Sequence, residues 1–366
     1  MRRQPAFREL QERLPGRGAI VRLGGLTGSA PSLLTAALTD ALPGRLWVVA
    51  APDPAAAEAA EADLQSLLAE GQVRLYPQRE ALPYEADAHH LEVSGLRVEA
   101  LEALLSGRVR VLVTTARALQ ERAEIPSGLA ELRLSISVGD TFRLQELTER
   151  LDELGFERAS LVEGVGDYAI RGGILDFFSF GAPEPVRVEF WGDEVVSIRH
   201  FDILDQRSTD AVEHVDVLPV DLRVTPEAGA GDASADHVRR SLLDVLPRDA
   251  VLIETDGELT VEGFQRTWSQ VLHLRDAELR RGGDPEPPDQ LFLSPEEAVE
   301  KLGGFGRLAV GAAPEADIRF AAREVESVER DMEHLSALLR PDAARGEDTV
   351  ILCDNPGQLE RLLEIL

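Results

Sequence analysis

Residues 25–32 follow an apolar strand-like segment, precede a helix-like one and have the spacing of a phosphate-binding loop. In a working loop the second glycine lets the backbone approach the phosphates, a lysine neutralises their charge and a hydroxyl binds Mg²⁺. Here Gly25 and Gly28 are present, but Ala30, Pro31 and Ser32 occupy the last three positions. Proline carries no charge and has no backbone N–H to donate to phosphate. The sequence therefore predicts a degenerate loop, with no nucleotide or other cofactor bound in this segment.

A nucleotide hydrolase would also need an acidic pair at the end of a buried strand, to bind Mg²⁺ and orient water. Residues 251–253 are strand-like, but only Glu254 follows them in an aligned position. We interpret Glu254 as an acidic residue that ends a buried strand. Because the sequence also contains no zinc-ligand spacing and no G-x-S-x-G nucleophile motif, it predicts no catalytic residues and no metal site.

Composition limits the range of partners. The chain of 366 residues has 66 acidic and 38 basic residues, a formal net charge of -28, and Lys301 is its only lysine. This charge opposes tight non-specific binding to DNA but leaves room for a local arginine patch that contacts a protein. A single cysteine, Cys353, excludes an internal disulfide and fits a reducing compartment. Since no stretch approaches 18 uninterrupted apolar residues, we expect a cytoplasmic protein with no membrane contact.

The elements that must position these residues change character along the chain. Strand-like and helix-like segments alternate over residues 1–130, short β-type segments dominate 131–212, and α/β alternation returns over 213–345. We expect an α/β fold: a parallel-sheet, degenerate nucleotide-binding domain in two parts, with a small antiparallel β-rich module inserted between them. Residues 346–366 start a new strand and helix. A lone βα unit cannot bury its faces, so we expect a truncated following domain and a longer parent polypeptide.

Three strands are predicted in the inserted module, at residues 173–178, 186–191 and 195–202. Alternation along the middle strand divides its side chains between two faces. Val188 and Phe190 point to one face. Arg187, Glu189 and Trp191 point to the other. One face is therefore expected to pack and the other to lie open, and tryptophan beside arginine is typical of a binding hot spot.

Residues 168–208 carry a specific block, YAIRGGILDFFSFGAPEPVRVEFWGDEVVSIRHFDILDQRS. The block resembles the second domain shared by the excision repair protein UvrB and the transcription-repair coupling factor (Mfd) family. The resemblance extends over essentially all 366 residues and is strongest to the N-terminal, UvrB-homology region of that family. It implies a RecA-like, or helicase-like, fold for the parallel-sheet domain. It also implies that Arg171, Arg187 and Trp191 bind the repair protein UvrA, although relatives commonly have phenylalanine at the third position.

The resemblance implies that the full-length parent is an ATP-dependent DNA translocase that displaces stalled RNA polymerase. ATP, Mg²⁺, DNA and RNA polymerase are then expected to bind parts of the parent outside this non-catalytic segment. A UvrB-like, damage-binding ATPase is the alternative, but it would keep the loop lysine and a tyrosine-rich hairpin. Only Tyr76, Tyr84 and Tyr168 are present. A second alternative is an autoinhibitory domain that contacts the C-terminal region of its own chain.

A purely structural interpretation of the three site residues also stays open. Arg171 would then pair with Asp167 or Asp176, and Trp191 would cap the sheet.

Overall fold

The structure is a computed structural model of the chain. It describes residues 1–85, 91–125, 133–179, 182, 184–220, 239–311, 315–322, 332–346, 351 and 356–365.

The β-strands of the described residues are β1 (Ile20–Gly24), β2 (Trp47–Ala51), β3 (Val73–Tyr76), β4 (Val111–Thr115), β5 (Arg122–Glu124), β6 (Leu134–Ser137), β7 (Glu157–Arg158), β8 (Asp167–Arg171), β9 (Ile174–Phe177), β10 (Val186–Trp191), β11 (Glu194–Phe201), β12 (Ser208–Val212), β13 (His214–Val217), β14 (Arg239–Ser241), β15 (Val251–Glu254), β16 (Gly306–Val310) and β17 (Ile318–Arg319). The helices are α1 (Pro5–Glu12), α2 (Ala30–Ala41), α3 (Pro54–Leu67), α4 (Leu91–Leu105), α5 (Ala116–Gln120), α6 (Leu144–Glu153), α7 (Leu242–Val245), α8 (Val261–Arg280), α9 (Pro288–Leu291), α10 (Pro295–Leu302), α11 (Met332–Ala344) and α12 (Pro356–Ile365).

A seven-stranded sheet in the order β17-β1-β16-β15-β2-β4-β3 is parallel at every pairing. Strands β2, β4, β15 and β16 are buried along their whole length, as the continuous apolar runs of a parallel sheet covered on both faces require. Alternate residues of β2 join different core clusters: Val49 packs with side chains of α1, α2 and α3, whereas Val48 packs with those of α4, α5 and α10. The sheet is thus a central layer between two sets of helices.

The order of the strands shows how the chain returns to this sheet. Strands β15 and β16 lie between β1 and β2, although about 200 residues separate β2 from β15 in sequence. The intervening chain contains a second, six-stranded sheet in the order β12-β11-β10-β9-β8-β7. The parallel sheet is therefore assembled from both sides of an inserted β-rich segment.

The second sheet, which we call the β-module, is antiparallel except for the pair β7–β8. Two-residue turns at Gly172-Gly173 and Gly192-Asp193 connect β8 to β9 and β10 to β11. Its inner face contributes Leu175, Phe177, Val186 and Val188 to the core cluster that also contains the α4 face of the parallel sheet. Its outer face carries only a small apolar cluster, formed by Val162, Ala169 and Phe201 with Phe178.

The described chain divides into two compact units, Met1–Ala322 and Arg323–Leu366. The first unit contains both sheets. The second contains α11 and α12. The predicted strand at residues 349–353 lies outside the described residues except for Ile351. The domain limits at 130, 212 and 345 stay predictions.

The predicted elements agree best where a local signal sets both ends. Strand β10 has the bounds predicted from its alternation, and α10 begins after Ser294, whose hydroxyl accepts from the Glu297 N–H at 3.2 Å. The β-module has more strands than the three predicted, because β7, β8 and β12 also pair in the sheet.

Candidate functional site

The loop after β1 is bound to the chain that follows β17. Gly25 has φ +71°, and a Cβ at this position would lie 2.0 Å from the carbonyl oxygen of Phe320. The Phe320 N–H donates to Gly24 O at 2.8 Å, and the Ala322 N–H donates to Gly25 O at 3.2 Å. This close backbone packing explains the glycine at position 25 without any ligand.

The helix that follows the loop has proline where a phosphate-binding loop has lysine. Helix α2 begins at Ala30 with Pro31 in its first turn, and Ser32 is buried. The Pro31 carbonyl accepts from the Thr35 hydroxyl at 2.9 Å, a bond within the helix. Gly28, at φ +55°, has no atom within 4 Å of a Cβ built on it. The geometry here is that of a β-to-α turn that has no lysine and whose serine, Ser32, is buried.

Glu254, at the end of β15, forms a buried ion pair. Its Oε1 accepts from Nε of Arg307 at 2.5 Å, and its Oε2 accepts from the Leu259 N–H at 3.0 Å. Both side chains are almost completely inaccessible to solvent, 0% and 6% exposed. Burial raises the pKa of Glu254, although the Arg307 guanidinium opposes that change. Both carboxylate oxygens are therefore bonded within the chain, and Glu254 ends a buried strand as predicted.

The three predicted binding residues lie on the outer face of the β-module. Asp176, which the sequence suggested only as a structural ion-pair partner of Arg171, connects Arg171 to Arg187. Asp176 on β9 is 1% exposed. Its Oδ2 accepts from Arg171 Nη2 at 2.5 Å and from Arg187 Nη2 at 2.9 Å, and its Oδ1 accepts from Arg187 Nε at 2.7 Å. One buried negative charge thus fixes two guanidinium groups, and these three side chains together carry one net positive charge.

Arg187 and Arg171 differ in their exposure. The Arg187 side chain is only 13% exposed, since its guanidinium stacks on the Phe201 ring at 4.7 Å and donates to Gln206 O at 3.1 Å. The hydrogen bond to Asp176 raises the pKa of Arg187, which keeps it charged. The Arg171 side chain is 46% exposed. The expectation that all three side chains are exposed to solvent is therefore wrong for Arg187. Arg187 lies beneath the exposed groups, and we call it the floor of this surface.

Trp191 is 81% exposed at the end of β10. Phe190, its neighbour on the opposite face, is half-buried against the core cluster, and its N–H donates to Gly173 O at 2.8 Å. The register slips by one residue between Glu189 and Phe190, which leaves Val196 of β11 without a partner in the ladder. Bulges of this kind change the direction of nearby side chains. Trp191 does not cap the sheet, because most of its surface faces solvent.

The functional contacts that sequence reasoning missed are those across strands. The register places Asp176 directly opposite Arg187, and the loop between β11 and β12 returns Gln206 to the same guanidinium. No sequence spacing reports such pairs, because register is set by the whole sheet.

No helix of the described residues is long and apolar enough to cross a membrane. No group of three or more histidine, cysteine or acidic side chains in the same residues could bind a metal ion.

The fold is a β-module inserted in a parallel α/β domain, and the outer face of that module carries Arg171, Asp176, Arg187 and Trp191. Residues 134–222 match the family described as the UvrB interaction domain. The chain is 34% identical over 346 residues to the transcription-repair-coupling factor of Myxococcus xanthus, covering 80% of this chain and 29% of that protein. It is 30% identical over 431 residues to that of Mycobacterium tuberculosis, covering 99% of this chain and 34% of that protein. It is 31% identical over 209 residues to that of Bacillus subtilis, covering 57% and 18%.

The chain is therefore a homologue of the transcription-repair-coupling factors, and it contains a UvrB interaction domain. This confirms the family that the block at residues 168–208 indicated. The chain spans about a third or less of the length of these curated relatives.

Proposed function

We propose that this chain recruits UvrA in transcription-coupled nucleotide excision repair, through the outer face of the β-module. The observation that carries the proposal is the exposure of Trp191 on an open sheet face that lies within the matched UvrB interaction domain. A large aromatic side chain is rarely left this exposed without a partner, and tryptophan with arginine is the composition enriched in hot spots.

The charge and rigidity of the face support a specific protein contact. Arg171 reaches solvent while its guanidinium is fixed by Asp176, so little conformational entropy is lost when a partner binds it. The Arg171–Asp176–Arg187 cluster carries a net positive charge on a chain of net charge -28, which favours an acidic patch on the partner over DNA. Arg187, which is mostly buried, donates two hydrogen bonds to Asp176 and so helps to hold the carboxylate that fixes Arg171.

In the same proposal the segment itself is non-catalytic. The parallel sheet is then a RecA-like nucleotide-binding domain that has lost its nucleotide, a view supported by Pro31 in the place of the loop lysine and by the internal Glu254–Arg307 pair. The full-length parent would be a cytoplasmic, ATP-dependent DNA translocase. Its ATP, Mg²⁺, DNA and RNA polymerase contacts would lie outside this segment.

The test is a binding titration of the 366-residue chain with purified UvrA, with and without ATP. The chain should bind. Arg171→Ala should raise Kd at least tenfold without lowering the thermal midpoint, because Arg187 still pairs with Asp176. A wild-type chain that fails to bind UvrA in both conditions would overturn the proposal.

A titration with Mg-ATP tests the non-catalytic part. No saturable heat is expected in the micromolar range, because the loop has neither a lysine nor a free carboxylate at Glu254. Saturable binding would favour the UvrB-like ATPase.

A further inference from the structure

Leu204 and Trp191 are the two most exposed large apolar side chains among the described residues, at 90% and 81%. Both belong to the β-module. Trp191 ends β10, whereas Leu204 lies in the loop between β11 and β12, which we call the Leu204 loop (residues 202–207). The proposed function uses Trp191 but leaves Leu204 unexplained.

The Leu204 loop is built to a fixed shape by its own polar groups. Asp202 Oδ1 accepts from the N–H groups of Leu204 at 2.7 Å and Asp205 at 3.2 Å. The loop closes through Asp202 N–H to Arg207 O at 2.9 Å and Gln206 N–H to Asp202 O at 2.8 Å. Gln206 has φ +61°, a conformation that a non-glycine residue keeps only when its surroundings fix it. Leu204 is thus displayed on a rigid turn.

The Leu204 loop is also bonded to the proposed UvrA surface. Gln206 O accepts from Arg187 Nη1 at 3.1 Å, and the Gln206 side-chain Nε2 donates to Val162 O at 3.3 Å, next to the outer-face apolar cluster. A continuous chain of hydrogen bonds therefore connects Arg171, Asp176, Arg187 and the loop.

The distances fit one interface. Arg187 and Trp191 are four residues apart on β10, or about 13 Å at the rise of a strand. Leu204 lies beyond the other end of that strand, beside Arg187. A standard interface buries about 800 Å² on each partner, a patch on the order of 30 Å across, which would include all three positions.

We propose that Leu204 is a second apolar anchor for UvrA, seated on the far side of the arginine pair from Trp191. This inference rests on the proposed function and extends its surface. The matching region of UvrA would be an acidic patch flanked by two apolar recesses, one for the indole of Trp191 and one for the isobutyl group of Leu204. The guanidinium of Arg207, which is 86% accessible and lies 3.8 Å from Asp205, would meet the acidic rim of the second recess.

The experiment compares three variants of the 366-residue chain in titrations with purified UvrA: Leu204→Ser, Arg171→Ala and Leu279→Ser. Leu279 is the matched control, because it is an exposed leucine, 45% accessible, on α8 outside the β-module. Leu204→Ser keeps the backbone N–H that bonds Asp202, so its thermal midpoint should equal that of the wild type. We expect Leu204→Ser to raise Kd at least tenfold and Leu279→Ser to leave Kd unchanged.

The outcomes separate this inference from the proposed function. If Arg171→Ala weakens binding and Leu204→Ser does not, UvrA recruitment stands and the second anchor is wrong. If Leu204→Ser and Leu279→Ser weaken binding equally, the effect is not specific to the loop and the second anchor is again wrong. If the wild-type chain does not bind UvrA at all, the proposed function and this extension both fail.

Discussion

Two arginine–carboxylate clusters in this chain show opposite uses of the same chemistry. At the end of β15, one arginine neutralises one glutamate, and both Arg307 and Glu254 are buried. On the outer face of the β-module, two arginines share Asp176, and one of them, Arg171, reaches solvent. The first cluster is closed and electrically balanced. The second is open and carries excess positive charge.

The difference separates residues that preserve a fold from residues that are available to a partner. Both side chains of the closed pair are already bonded within the chain. Glu254 and Arg307 therefore connect neighbouring strands of the sheet at the position where a nucleotide hydrolase would have its acidic pair. A cluster in which a buried carboxylate, Asp176, fixes an exposed arginine, Arg171, is preorganised for binding. Counting charged residues would not distinguish the two, whereas the ratio of arginine to carboxylate and the exposure of each partner do.

The closed cluster should show the largest effect on stability. We expect Glu254→Gln to lower the free energy of unfolding by about 3 to 5 kcal/mol, because it leaves Arg307 buried and unpaired. Urea denaturation measures this. The matched control is Glu258→Gln, which removes the exposed pair with Arg22 and should change stability by about 1 kcal/mol or less. Similar losses of unfolding free energy in the two variants would show that the Glu254–Arg307 ion pair does not stabilise the fold as a buried pair.

Arg187, the mostly buried member of the open cluster, should show the next largest effect on stability. Arg187→Ala removes two bonds to buried Asp176, the stack on Phe201 and the bond to Gln206. We expect a loss of about 2 to 3 kcal/mol, because Arg171 alone satisfies Asp176 only partly. Thermal unfolding of Arg187→Ala beside Arg171→Ala is the measurement. Equal midpoints would contradict the division into a buried floor and an exposed arginine.

The loop after β1 offers a test of the closed region that does not involve charge. Gly25→Ala would place a Cβ against Phe320 O in a left-handed conformation, so we expect a loss of about 2 kcal/mol or more. Gly28→Ala meets no atom and should lose about 1 kcal/mol. Chemical denaturation of the two variants compares them. A larger loss at Gly28 would mean that the loop is not braced by the segment after β17.

The inner face of the β-module should show the smallest effect, as a dependence on pH. Burial and the hydrogen bond from its hydroxyl to Asp152 raise the pKa of Tyr168 from an ordinary value near 10 to about 12. The stabilisation from the protonated form is therefore complete below pH 10 and is lost as pH rises to about 12. Denaturation at pH 9 and pH 11 should show a steeper loss for the wild type than for Tyr168→Phe. Parallel losses would exclude Tyr168 as the group responsible.

Local signals predicted much of this molecule. The alternation of β10 identified both its bounds and its packed face. Burial of Arg187 could not be predicted, because it depends on Asp176 and Phe201, which reach it only through the register of β9, β10 and β11. Arg307 was missed for the same reason, since it meets Glu254 through adjacent parallel strands.

The central claim, that one strand has a structural face and a recruiting face, is tested most directly at two adjacent residues of β10. Thermal unfolding and UvrA titration should be measured on the same preparations of Trp191→Ala and Phe190→Ala. Trp191→Ala should leave the thermal midpoint unchanged and raise Kd about 30-fold, the equivalent of about 2 kcal/mol. Phe190→Ala should lower the midpoint by several degrees, because it removes a ring packed on the core cluster. A Trp191→Ala chain that melts early, or that binds UvrA as tightly as the wild type, would contradict the account.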